Sequence, residues 1–148
     1  MNETAEPKPT FERWLPVADL PKCFGGYSLR DDRTGLFIRL HIDDRDLVLS
    51  FEPRAILAYR VHGEFCHPRF NQESSAPPSE QWPWGTEPLL IVRESEWLHS
   101  FSDSQIHDFQ HPTHYFIYTL DDSIDILSLS EPQVQWEPTQ LIPNDRNA

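Results

Sequence analysis

The chain has 148 residues, 12% of them aromatic, and a formal net charge of −12. That length suits one domain with a sizeable core. No run approaches the roughly 18 apolar residues of a membrane helix. The start, Met1 to Pro9, has neither a basic nor an apolar signal region, so a cytoplasmic protein with no membrane partner is expected.

Charge is the strongest bulk signal. Residues 1–74 hold twelve acids and ten bases, whereas residues 75–148 hold twelve acids and only Arg93 and Arg146. Nucleic-acid binding depends on Lys and Arg displacing counterions from phosphates, so DNA and RNA are excluded as expected partners. An acidic surface maintains solubility, and it also attracts a basic protein and speeds encounter with it. Cys23 and Cys66, far apart in a chain expected to be cytoplasmic, read as buried thiols rather than a disulfide.

Residues 1–10 read as a disordered tail, 11–138 as a single α+β domain, and 139–148 as a second tail. Phe11 to Leu20 has no clear period, and Gly25-Gly26 marks a bend. Tyr27 to Arg30 is expected as a short strand. Leu36, Ile38, Leu40 and Ile42 then alternate with Phe37, Arg39, His41 and Asp43, the signature of a half-buried strand. Asp43 to Asp46 reads as a polar turn. Leu47, Leu49 and Phe51 resume the pattern, making 34–52 an antiparallel hairpin. Arg54 to His62 is expected to continue it as a meander.

Residues 66–88 form a long loop rich in Pro, Ser and Gln, with Trp82 and Trp84 flanking Pro83. Leu89 to Arg93 reads as a strand. Ser95 can cap a helix, and Trp97, Leu98, Phe101, Ile106 and Phe109 predict one main helix over about 95–109. Pro112 ends it. From His114 to Trp136 the sequence is densest in β-favouring residues, broken at Asp121-Asp122-Ser123, and predicts the central hairpin of the core, its first arm apolar on both faces (Phe116, Tyr118 and Leu120 on one, Tyr115 and Ile117 on the other) and so covered on both. Gln133 to Trp136 adds a last strand. The expected whole is a predominantly antiparallel curved sheet of about seven strands wrapping that helix.

Asp125 is a puzzle in this pattern. It lies between Ile124 and Ile126, which face the core, yet it shares parity with Leu127 and Leu129. Either both faces of the strand are covered or a bulge near Leu127 or Ser128 resets the register. On a covered face its carboxylate needs a partner, with Arg39, Arg54 and Arg60 as candidates.

Catalytic fingerprints are absent. There is no nucleophile elbow, P-loop, dinucleotide fingerprint or His-Glu-Xaa-Xaa-His, and no cofactor is implied. His107, His111 and His114, near Asp103 and Asp108, form the one metal-like cluster, although Pro112 separates the last from a shared helix face. The plainer reading makes them polar residues of a connection. His62, Glu64, Cys66 and His67 do not make a dyad, since neighbours on a strand point to opposite faces. Asp121, Asp122 and Asp125 lack the spacing of a calcium loop. Trp82 and Trp84 suggest recognition, because Trp is enriched at binding hot spots, though both can equally close over the core.

The run Leu89 to Leu98, with its Ser95-Glu96-Trp97-Leu98, followed by His114-Tyr115 and Asp121-Asp122-Ser123-Ile124-Asp125-Ile126-Leu127-Ser128, resembles a group of small bacterial proteins. It covers Leu89 to Trp136. The resemblance implies no activity or catalytic residue, and it suggests a link to toxin-immunity proteins. The leading expectation is therefore a non-enzymatic, immunity-like partner of a basic protein, with Trp82, Trp84 and Asp125 as binding residues. The alternative is a small-molecule or metal-dependent enzyme using 107–114. A purely structural subunit would instead form a homodimer burying Trp82 and Trp84.

Overall fold

A computed structural model describes residues 10–63, 87–101 and 111–140. The strands are β1 (Thr10–Arg13), β2 (Gly26–Asp32), β3 (Gly35–Ile42), β4 (Arg45–Phe51), β5 (Ile56–Gly63) and β6 (Leu89–Arg93). The helix α1 (Glu96–His99) follows, then β7 (Thr113–Tyr118), β8 (Asp122–Ser128) and β9 (Gln133–Pro138). They build two sheets, a five-stranded one in the order β1-β6-β7-β8-β5 and a four-stranded one in the order β2-β3-β4-β9. Every ladder within them is antiparallel.

Antiparallel β structure is as expected, but the single curved sheet around a main helix is not found. Strand β5 does not continue the β3–β4 meander. After Pro53 the chain leaves the four-stranded sheet, and β5 pairs with β8 at the edge of the other. The place beside β4 goes to β9, with Leu47 opposite Trp136 and Leu49 opposite Val134. Apolar pairs at these positions favour that partner.

The helix also differs from the expectation over 95–109. Ser95 caps it as predicted, accepting from the Leu98 amide at 3.1 Å, and Glu96 sits in the first turn. The turn closes at Ser100, whose amide donates to Glu96 O at 3.0 Å and whose hydroxyl donates back to Trp97 O. Serine side chains compete for backbone partners in this way and stop short helices. Residues 102–110 lie outside the described part of the chain.

The main core is formed by apolar side chains from both sheets. Leu36, Ile38, Leu40, Leu47 and Leu49 come from one, and Leu89, Tyr115, Ile117, Ile124 and Ile126 from the other. Tyr115 meets Trp14 and Phe51 at ring separations of 4.7 and 5.9 Å. A smaller cluster, Leu90, Val92 and Phe116, lies on the opposite face of the five-stranded sheet. The central hairpin is thus covered on both sides, as its composition predicted. Leu120, read as continuing the β7 apolar face, lies past the strand end and is 58% exposed.

Gly35 opens β3 at φ +136°, and a Cβ there would lie 2.3 Å from Phe51 O. Only glycine fits where the β2–β3 turn passes so close to β4. No helix among the described residues is long and apolar enough to cross a membrane.

Candidate functional site

Two polar arrangements arise from this framework, one on each sheet. The first answers the question raised by Asp125. Its face of β8 is covered: Asp125 is 2% exposed while Ile124, Ile126 and Leu127 are fully buried. Of the two alternatives the covered face is the one found, and a register shift is present as well, on β5 between Ile56 and Ala58, opposite Ser128 and Leu127. Arg60 stands opposite Asp125 and donates Nε to Oδ2 at 3.3 Å.

His114, from β7, places Nε2 2.6 Å from Asp125 Oδ1, and its Nδ1 lies 2.6 Å from Ser95 Oγ. With Asp125 ionised, Nε2 carries the proton and donates, so Nδ1 accepts from the Ser95 hydroxyl. Trp97 closes the group, meeting His114 edge-on at 5.4 Å and lying under the Arg60 guanidinium at 4.1 Å. A cation over an indole face is favourable in a site with little water.

These residues follow the order Ser, His, Asp of some hydrolytic triads. The geometry is structural nonetheless. Ser95 is 2% exposed and its oxygen already caps α1. A buried, doubly engaged hydroxyl has no approach for a substrate carbonyl. The network fastens α1 to the sheet and matches the Asp125 charge with Arg60.

Of the other residues singled out from sequence, His111 is exposed and does not join His114. Both nitrogens of His114 are engaged with Ser95 and Asp125. Among the described residues, no group of three or more His, Cys, Asp and Glu side chains is arranged to hold a metal ion. Trp82, Trp84 and His107 lie outside the described residues, as do Cys66 and His67.

The second arrangement is open and lies at the four-stranded sheet. Phe24, fully buried, pairs with Thr119 and accepts the Leu120 amide at 3.0 Å. That link holds the β7–β8 connection against the start of β2. Leu120 and Asp121 thereby face Cys23, Tyr27, His41 and Asp43 across a cleft of about 640 Å³. Gly25 donates to His41 O at 2.9 Å, and Gly26 sits where a Cβ would approach Asp121 Oδ2 at 3.8 Å.

His41 is oriented from below. Its Nδ1 lies 2.7 Å from Oδ1 of Asp46, the residue opposite it across the β3–β4 ladder. Asp46 is fully buried and also receives Arg39 Nε at 3.0 Å and the Gln140 amide at 3.1 Å. Burial pushes this carboxyl up, but hydrogen bonds from His41, Gln140, Arg39 and Thr139 outweigh it and hold the pKa to about 2. Asp46 is thus an obligate acceptor, and His41 Nδ1 carries the proton.

The remaining wall is equally one-sided. Tyr27 donates its hydroxyl to Asp122 Oδ2 at 2.5 Å, and burial followed by that bond raises its pKa to about 12. That side chain stands on the core face of β2, opposite Leu40, and its hydroxyl is turned from His41. Cys23 gives its thiol proton to Phe24 O at 3.5 Å, and burial pushes the thiol up, so it is not an activated nucleophile. Asp43 and Asp121 are exposed, and among the described residues no Lys or Arg lines the cleft.

Sequence reasoning missed this dyad because it assigned Asp46 to the turn. The turn is only Asp43-Asp44, with Asp43 at φ 53°, and such a two-residue turn sets His41 against Asp46. Compared with protein-family models, with curated proteins and with solved structures, the chain matches none of them.

Proposed function

We propose that the chain is a non-enzymatic binding protein whose partner offers a basic group to the cleft beside His41. One observation carries this reading: the polar side chains that wall the cleft are dominated by acceptors. The carboxylates of Asp43 and Asp121 and the imidazole of His41 line it, with Ile42 and Leu120 as apolar walls. Such a lining suits a cation that carries N–H donors on an aliphatic stem. The net charge of −12 favours encounter with a basic protein, and the role we favour for the chain is that of an immunity-like inhibitor of such a protein.

The test is a titration of the intact protein with a short oligolysine peptide and with an oligoglutamate peptide, followed by backbone amide shifts. Shifts at Gly25, Gly26 and Asp121 with oligolysine alone, weakened in a D43N/D121N variant and by added salt, are expected. Equal response to both peptides, or none at these amides, refutes the reading. The enzyme alternative has less support, since the described part of its histidine segment ends in the sealed contact of His114 with Ser95 and Asp125.

A further inference from the structure

Resting on that reading of the cleft, we propose that His41 is its specificity-determining residue, accepting an N–H of the bound ammonium through Nε2, so that ligand and proton compete for one nitrogen. The geometry of the ring carries this. Nδ1 is tied to buried Asp46, which fixes which edge of the imidazole is left. Cδ2, bonded directly to Nε2, is the ring atom nearest the Gly26 site, at 4.0 Å from a Cβ built there. Gly26 and His41 both line the cleft. The edge bearing Nε2 is therefore the one turned to it.

Asp46 sets the tautomer as well as the direction. Its carboxylate takes the Nδ1 proton, so neutral His41 shows the cleft a lone pair and no donor. An ammonium can donate to that lone pair while its remaining N–H groups reach Asp43 and Asp121, a fit for a compact, rotatable donor. A quaternary ammonium has the charge but no N–H to give.

Protonation reverses the interaction. Imidazolium offers a donor to a ligand that is itself all donors, and sets two positive charges side by side. The groups on the His41 side are Asp46 on β4, Arg39 on β3, Asp43 in the β3–β4 turn, Cys23 just before β2, and Asp121 from the β7–β8 connection, while Tyr27 of β2 stands on the other face, opposite Leu40. Arg39 is held in turn by Asp46 and by Glu137 of β9 at 3.3 Å. Where the imidazole carries a second proton at Nε2, a ligand that donates to that nitrogen has to displace it. Binding should then release a proton.

The test uses the whole chain with Nα-acetyl-lysine methylamide and its Nζ-trimethyl analogue as probes, by calorimetry between pH 5 and 8. Each pH is run in two buffers of different ionisation enthalpy. For the wild type, affinity for the first probe should fall about tenfold per pH unit on the acid side, with close to one proton released there. The trimethyl probe should bind about tenfold or more weakly at pH 8. In H41Q the pH dependence should vanish.

Should H41Q fail to fold, long-range ¹H–¹⁵N spectra of the wild-type imidazole replace it, with the probe expected to drive His41 to the neutral, Nδ1-protonated form. Probe binding without proton release, equal affinity for both probes at pH 8, or unchanged pH dependence in H41Q overturns the role of His41 and leaves the basic-ligand cleft standing. No binding of either probe at any pH overturns both.

Discussion

Asp46 allows a stability prediction whose size follows from its surroundings. Its pKa moves from 3.8 to about 2 because the hydrogen bonds of the folded state outweigh the cost of burial. A carboxyl depressed on folding stabilises the protein above its unfolded pKa, and that contribution disappears as pH falls through the folded value. The full contribution is about 2.4 kcal/mol. Roughly 1 kcal/mol of it is gone by pH 3.

The perturbation is Asp46→Asn, which keeps shape but cannot titrate. Urea denaturation of both proteins at pH 5, 4 and 3 measures the difference, and staying at or below pH 5 keeps histidine titration largely out of the comparison. Other carboxyls titrate alike in both chains and cancel. The wild-type advantage should shrink by about 1 kcal/mol between pH 5 and 3. A difference flat to within about 0.3 kcal/mol would refute the account of Asp46 as a stabilised carboxylate.

Two further outcomes follow from the same geometry. Asp125→Ala should cost about 3–5 kcal/mol in urea denaturation, because Arg60 loses its carboxylate partner and His114 its acceptor. A loss under about 1 kcal/mol would mean the network is slack. In a spectrophotometric titration, Tyr27 should ionise near pH 12, and Tyr27→Phe should remove the absorbance change there.

The parts of the fold legible in the sequence are those set by neighbours in the chain. The alternation from Leu36 to Ile42 located a strand with one core face, and the uniform apolarity around Ile117 located a strand covered on both. Parity likewise required Asp125 to lie on a covered face with a cationic partner, and Arg60 meets that need. Sheet membership was not legible. β5 carries the same alternation whether it lies beside β4 or β8, and the choice depends on contacts distant in sequence. The extent of α1 was misjudged because apolar spacing outweighed the serine hydroxyl that closes it.

The cleft was hidden for a related reason. Its walls come from Cys23, His41 and Asp121, which share no motif and meet only because Phe24 bonds to the Thr119–Leu120 segment. The pairing of His41 with Asp46 depended on the length of one turn, where a single residue either way sends the partner elsewhere.

The place of β9 beside β4 has a consequence for how the protein is made. Asp46 receives the Gln140 amide from 94 residues further along the chain. Until β9 leaves the ribosome, β4 has a bare edge and Leu47 and Leu49 lack Val134 and Trp136. A growing chain in this state is a sticky strand awaiting its cover. Interrupted synthesis upstream of Gln133 should therefore yield insoluble fragments, although most of the strands are already present, and a peptide spanning β9 supplied in trans should keep them in solution.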